Sequence, residues 1–204
     1  MKKAVSAVLA AMLLAVPLSA AAGGLGGLVP HINTSGSQRA VNNMENRTYT
    51  FNTLPASAAE VGPSTEARQV AAYAVAALTR YGEDPATGIA MLNALKGPQP
   101  LTPYDLQFLR DRFANCPYVA RSYFEGATPQ NNYTPSQPYR VTVETNAYTY
   151  ATQGYAKFFI RSGGADSSRP IILRQKASTG EWFLWNAKSL LNRIREAAQD
   201  NPWA

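Results

Sequence analysis

Lys157, Arg161, Arg174 and Lys176, with Phe183 and Trp185 close behind them in the chain, are the side chains best suited to chemistry. Guanidinium and ammonium groups bind carboxylates and phosphates, and aromatic faces hold cations or stack on rings. The separations Lys157 to Arg161, Arg174 to Lys176 and Phe183 to Trp185 are all even. In extended chain, residues an even number apart share a face, so each pair would point the same way. Tyr155 and Phe159 have the same parity as Lys157. The chemistry this set offers is recognition of an anionic partner rather than bond cleavage.

Other chemistries have less to work with. Cys116 is the one cysteine, followed at once by Pro117, and His31 is the one histidine, set in a Gly/Ser/Asn-rich stretch. One thiol cannot form an intramolecular disulfide. A nucleophilic cysteine needs a base held against it, and zinc usually takes three or four His or Cys ligands, so neither a Cys/His site nor a metal site is expected. No cofactor motif is present. Asp105 and Asp111 lie six apart and would not share a helix face, while Glu83 and Asp84 sit where a helix cap accounts for them. No carboxylate spacing compels a glycosidase or protease reading, and no catalytic residue is identified.

The stretch "SGGADSSRP" (residues 162–170) invites comparison with a phosphate cradle. Such cradles place a helix start behind the glycines, whereas here a strand-like run follows. The expectation is a hairpin loop over residues 162–168, with Gly163 and Gly164 at positive φ and Asp166 capping the turn. Asp166 with Arg169 then reads as a surface ion pair.

The elements that must position these residues follow from periodicity. "RTYTFNTL" (residues 47–54) alternates Tyr49 and Phe51 with polar residues, a short strand candidate. Three helices come next. The first is expected from Ser64, with Val70, Tyr73, Ala74, Ala77, Leu78 and Tyr81 on one face and a stop at Gly82. The second has Asp84 as cap and Pro85 in its first turn, and ends at Gly97-Pro98; the third repeats that grammar with Thr102 and Pro103 and finishes before Pro117. Residues 122–139, with three prolines and Gly126, read as an ordered loop.

From Tyr139 the period switches to two, and "YRVTVETN", "GYAKFFIRS", "RPIILRQKA" and "EWFLW" read as four antiparallel strands. Residues 187–199, with Leu190, Leu191, Ile194 and Ala198, read as a C-terminal helix. The fold class is therefore α+β: three N-terminal helices, a four-stranded antiparallel meander and a C-terminal helix. Placing Ile160 opposite Ile171 and Leu173 opposite Leu184 gathers Ala156, Phe158, Ile160, Ile171, Leu173, Trp182 and Leu184 on the core face. The other face then carries the cationic and aromatic set, with Arg174 across from Phe183 and Lys157. Either the C-terminal helix covers Phe159, Ile172 and Trp185, leaving the cations as a rim, or the face is an open cationic surface.

At the N-terminus, Lys2 and Lys3 precede an apolar run to Leu18 and the small residues "SAAAGG". This is the pattern of a secretory signal peptide, with cleavage expected after Ala22 and Ala20 a near alternative. A span needs about 20 apolar residues, so the run is marginally long enough to persist as an anchor. The domain organisation read from the chain is a signal peptide over residues 1–22, a flexible leader over 23–46, and a single α+β domain over 47–204. The localisation that follows is secreted or periplasmic.

The formal net charge is +6, or about +4 without Lys2 and Lys3. Residues 23–136 carry eight basic and eight acidic side chains, and residues 137–204 nine and five, so the excess lies in the sheet half. That bias is modest for nucleic acid, which export makes an uncommon target. An anionic cell-surface polymer or a protein is the expected partner.

The stretches "MLNALKGPQPLTPYDLQFLRDRF", "YVARSYFEGATPQNNYTPSQPY", "SGGADSSRPIILRQKASTGEWFLW" and "DNPWA" resemble an uncharacterised bacterial family, a domain of unknown function seen chiefly in anaerobic and gut-type bacteria. The resemblance covers most of the chain from Arg47 and implies no activity, cofactor or site residue. Two functional classes remain: a non-enzymatic exported binding or accessory module using the sheet face or the "GATPQNNYTP" loop, or a hydrolase of cell-wall or dietary polymer working through carboxylates not identified in the sequence.

Overall fold

The computed structural model describes residues 45–203. The expected signal peptide, nearly all of the leader, and His31 lie outside the described residues. Strand β1 (Arg47–Phe51) comes first, then helices α1 (Ala67–Glu83), α2 (Pro85–Lys96) and α3 (Pro103–Phe113). Short 3-10 turns at Val119–Tyr123 and Pro129–Asn131 lead into β2 (Tyr139–Glu144), β3 (Tyr155–Ile160), β4 (Arg169–Gln175) and β5 (Trp182–Asn186).

The three helices obey local rules. Asp84 caps α2 by accepting from the Ala86 and Thr87 N–H groups, and Thr102 caps α3 in a reciprocal box with Asp105. Helix α1 starts at Ala67 rather than Ser64. The Ser64 N–H and C=O are both engaged by Trp182, at 3.4 and 2.7 Å, which holds Ser64 extended against β5. Helix α1 is rich in alanine and contacts all five strands, its small side chains letting it lie close over the inner sheet face. Where α1 and α2 meet, a Cβ on Gly88 would fall 2.3 Å from the Tyr81 Cα, so only glycine allows this approach.

The sheet corrects the expected layout in two ways. It has five strands, ordered β1-β2-β3-β4-β5 and antiparallel throughout, because the Tyr49/Phe51 segment pairs with β2 along its whole length. Thr48 and Thr142 hydroxyls meet at 2.8 Å across that pair. There is also no C-terminal helix. Residues 187–203 carry only 3-10 turns at Lys188–Leu191 and Ala198–Asp200.

The missing helix has a physical cause. An α-helix needs its own N–H and C=O groups for its ladder, and here tertiary partners take them. The Leu190 carbonyl accepts from the Tyr123 hydroxyl at 2.5 Å, and the Asn192 and Arg193 carbonyls accept from Arg169 at 3.3 and 3.0 Å. The Arg195 N–H donates to the Gly164 carbonyl at 2.9 Å, while its carbonyl accepts from the Tyr133 hydroxyl at 2.6 Å. Arg193 stands at φ 56°, outside helical conformation. Leu190 and Leu191 are buried in the main core, and Ala197 packs in a smaller cluster with Tyr118, Ala127 and Tyr133.

The expected core face is buried throughout: Ala156, Phe158, Ile160, Ile171, Leu173, Trp182 and Leu184. Its partners differ between β3 and β4, where Phe158 rather than Ile160 lies opposite Ile171, a shift of two residues. A two-residue shift preserves which face each side chain takes, so the core survives the change of partners. Between β4 and β5, Leu173 meets Leu184 and Arg174 meets Phe183 as expected. Ile172 then pairs with Asn186, which leaves Trp185 as the extra residue of a β-bulge.

The 162–168 segment is the loop between β3 and β4, but its glycines serve close approach rather than positive φ. A Cβ on Gly163 would fall 1.9 Å from the Ala127 carbonyl oxygen, and one on Gly164 2.1 Å from the Tyr133 hydroxyl. Asp166 pairs with Arg195 instead of Arg169.

Candidate functional site

On the outer face of the sheet, β3, β4 and β5 bring Tyr155, Arg174 and Phe183 side by side. The Arg174 guanidinium carbon lies 5.6 Å from the Tyr155 ring centroid and 5.0 Å from that of Trp185. The two rings meet edge to face at 5.8 Å. Trp185, the unpaired bulge residue on β5, the edge strand of the sheet, thus lies beside Arg174. Lys157, the next outward residue on β3, lies 5.5 Å over the Phe159 ring. Lys157, Arg174 and Trp185 are exposed, and Phe159 and Ile172 are half-buried.

Among the described residues, no carboxylate lies within 4.0 Å of the Lys157, Arg174 or Lys176 side chains. A groove of about 390 Å³ runs beside them, walled by Lys96, Pro98 and Gln99 from the end of α2 and by Arg174, Lys176 and Trp185 from the sheet. It is lined by cations and by no acidic residue. Burial lowers the Lys96 pKa below the ordinary lysine value, with Asp105 opposing and Lys188 assisting that shift.

The structure thus gathers Lys157, Arg174, Lys176 and Trp185 from the set singled out in the sequence. Two members behave differently. Arg161 sits past the end of β3 and pairs with Glu144 at 3.6 Å. Phe183 is half-buried beneath the end of α2, where a Cβ on Gly97 would lie 2.3 Å from its ring, so it supports the groove from below. Tyr155 belongs to the site although it stood outside the set; its parity with Lys157 was the available signal. Lys96 is also added, and no local pattern points to it.

A carboxylate pair was the alternative signature. Glu125 and Glu144 both line a depression of about 640 Å³ near the β1–β2 end of the sheet. Each is engaged by an arginine, Glu125 by Arg140 at 3.3 Å and Glu144 by Arg161, and Glu144 also accepts from the Ser168 hydroxyl at 2.6 Å. Among the described residues no three of His, Cys, Asp and Glu converge as metal ligands would. No described helix is long and apolar enough to cross a membrane.

Fold and site together define an α+β domain in which α1 packs across one face of a five-stranded antiparallel meander, α2 packs on α1 and β5, and cations gather on the other face. Residues 50–198 match the family model described as Domain of unknown function (DUF6935), and the chain belongs to that family. No curated protein and no solved structure matches it.

Proposed function

We propose that this domain is an exported, non-enzymatic binding module that holds an anionic polymer across the outer face of β3–β5. The observation that carries the reading is the Arg174 guanidinium, set against both the Tyr155 and Trp185 rings with no carboxylate in contact. Contacts with both rings restrict the guanidinium, and an arginine so held without an acidic partner keeps its donors for an incoming carboxylate or phosphate. Lys96 and Lys176 extend the cationic track along the groove, and Lys157 flanks it. Trp185, 37% exposed, offers ring surface on which a sugar can pack.

Export rests on the charged, apolar and small-residue order of the first 22 residues. A cell-envelope or extracellular acidic polysaccharide, or a teichoic-acid-like polyphosphate, is the partner class that chemistry and compartment share. Glu125 and Glu144, the two carboxylates that line one depression, are each held in an ion pair by an arginine, and the binding reading is therefore preferred.

Native gel electrophoresis through polygalacturonate provides the test. The wild-type protein should be retarded relative to a gel containing neutral dextran, and Arg174→Gln should migrate close to the unretarded position. Equal mobility of the wild-type protein in both gels would remove the basis for the proposal.

A further inference from the structure

A separate cavity of about 340 Å³ lies on the inner side of β5, between α3, the α2–α3 connection and the segment that follows β5. Its size falls in the range of small-molecule sites, about 300–1,000 Å³. Leu101, Phe108, Leu109, Leu184 and Leu191 contribute an apolar wall, and Lys96, Asp105 and Lys188 also line it.

These three charges are not equivalent. Asp105 accepts from the Thr102 N–H at 3.0 Å, the Thr102 hydroxyl at 2.8 Å and the Lys188 ammonium at 2.5 Å. Asp105 and Lys188 therefore neutralise each other, and Lys188 further rests 4.6 Å over the Tyr104 ring. Lys96 has no such partner. Among the described residues its ammonium makes one hydrogen bond, to the Trp185 carbonyl at 3.4 Å, and no carboxylate lies within 4.0 Å of it. Desolvation is the main influence on its protonation, as a half-buried cation without a contacting counter-ion requires. Asn186 and Gln99 lie alongside; the Asn186 side-chain oxygen already accepts from the Lys188 N–H at 2.9 Å, which leaves its amide NH2 as a donor.

An apolar wall with a single unneutralised ammonium calls for a ligand with an apolar body and one negative charge. A phosphate dianion fits less well, because the site has one uncompensated cation and Asp105 stands near it. We infer that the cavity between α3 and β5 binds a small amphipathic carboxylate, its hydrocarbon body against Leu101, Phe108 and Leu109 and its carboxylate on Lys96. The cavity adjoins the outer-face groove, with which it shares Lys96, Gln99, Leu184 and Trp185, but neither Lys157 nor Arg174 lines it.

Sodium octanoate, with octanol as its neutral counterpart, probes the inference through leucine-methyl NMR of the full-length chain. Octanoate should produce saturable shifts at Leu101, Leu109 and Leu191, and should bind about tenfold more tightly than octanol, the value of one charge-assisted hydrogen bond. Lys96→Met should reduce that preference to near unity while octanol still binds, Lys96→Arg should retain it, and Arg174→Gln should leave it unchanged. Absence of saturable shifts at these leucines, or an octanoate preference that persists in a folded Lys96→Met protein, overturns the inference. If Lys96→Met does not fold, loss of the preference in Lys96→Arg overturns it instead. Failure of polysaccharide binding with octanoate binding intact would refute the outer-face proposal alone.

Discussion

The Arg174 guanidinium carbon lies 5.0 Å from the centre of the ring of Trp185, the bulge residue that has no cross-strand partner. Exposed cation–π contacts contribute about 0.5–1 kcal/mol. Arg174→Gln should therefore lower unfolding free energy by no more than about 1 kcal/mol in urea denaturation, with the sheet intact by circular dichroism. A loss of several kcal/mol would mean that Arg174 serves the fold rather than a ligand.

The C-terminal segment is held by hydroxyls in place of a helical ladder. Tyr133 is fully buried, stacks on Tyr118 at 5.5 Å and donates to the Arg195 carbonyl at 2.6 Å. Burial pushes its pKa up to about 12, so it remains a donor at neutral pH. Tyr133→Phe leaves that carbonyl unpaired and should cost about 1–3 kcal/mol. Hydrogen exchange should accelerate first over residues 192–200; protection unchanged there would show that packing alone holds the segment.

Acid should weaken the α3 start in a defined window. Burial raises the Asp105 pKa, but the Lys188 ammonium and the Thr102 N–H and hydroxyl outweigh it and hold the carboxyl at about 2. An aspartate in the unfolded chain titrates near 4. The stability this carboxylate contributes is thus whole above roughly pH 4 and is lost as pH falls through about 2. The difference in urea midpoint between the wild-type protein and Asp105→Asn should be constant from pH 7 to pH 5 and shrink below about pH 4. A difference that stays constant down to pH 2 contradicts the assignment.

Local grammar made α2 and α3 legible, because Asp84-Pro85 and Thr102-Pro103 act within one turn of the helix they start. Strand parity was legible for the same reason: Phe158, Ile171 and Leu184 face inward whichever residue lies opposite. The pairing of β1 with β2 across an intervening helical layer was not, since no local pattern encodes so distant a partner. Residues 187–199 carry a helical period, yet Tyr123, Tyr133, Arg169 and Gly164 claim their backbone groups. In the candidate site, Arg174 and Trp185 share a face by parity alone. Their contact with Tyr155 needed the true β3–β4 register, and the groove needed the end of α2 to reach β5.

Calorimetric titration of the protein with polygalacturonate at two ionic strengths tests the central proposal most directly. Between roughly 0.01 M and 1 M salt the screening length shrinks from about 30 Å to about 3 Å. Binding through exposed Arg174, Lys157 and Lys176 should then weaken by at least about tenfold, and Arg174→Gln should weaken it by about tenfold at the lower salt. An affinity that is independent of salt, or equal in wild-type protein and Arg174→Gln, would contradict the assignment of the outer face of β3–β5 as an anion-binding surface.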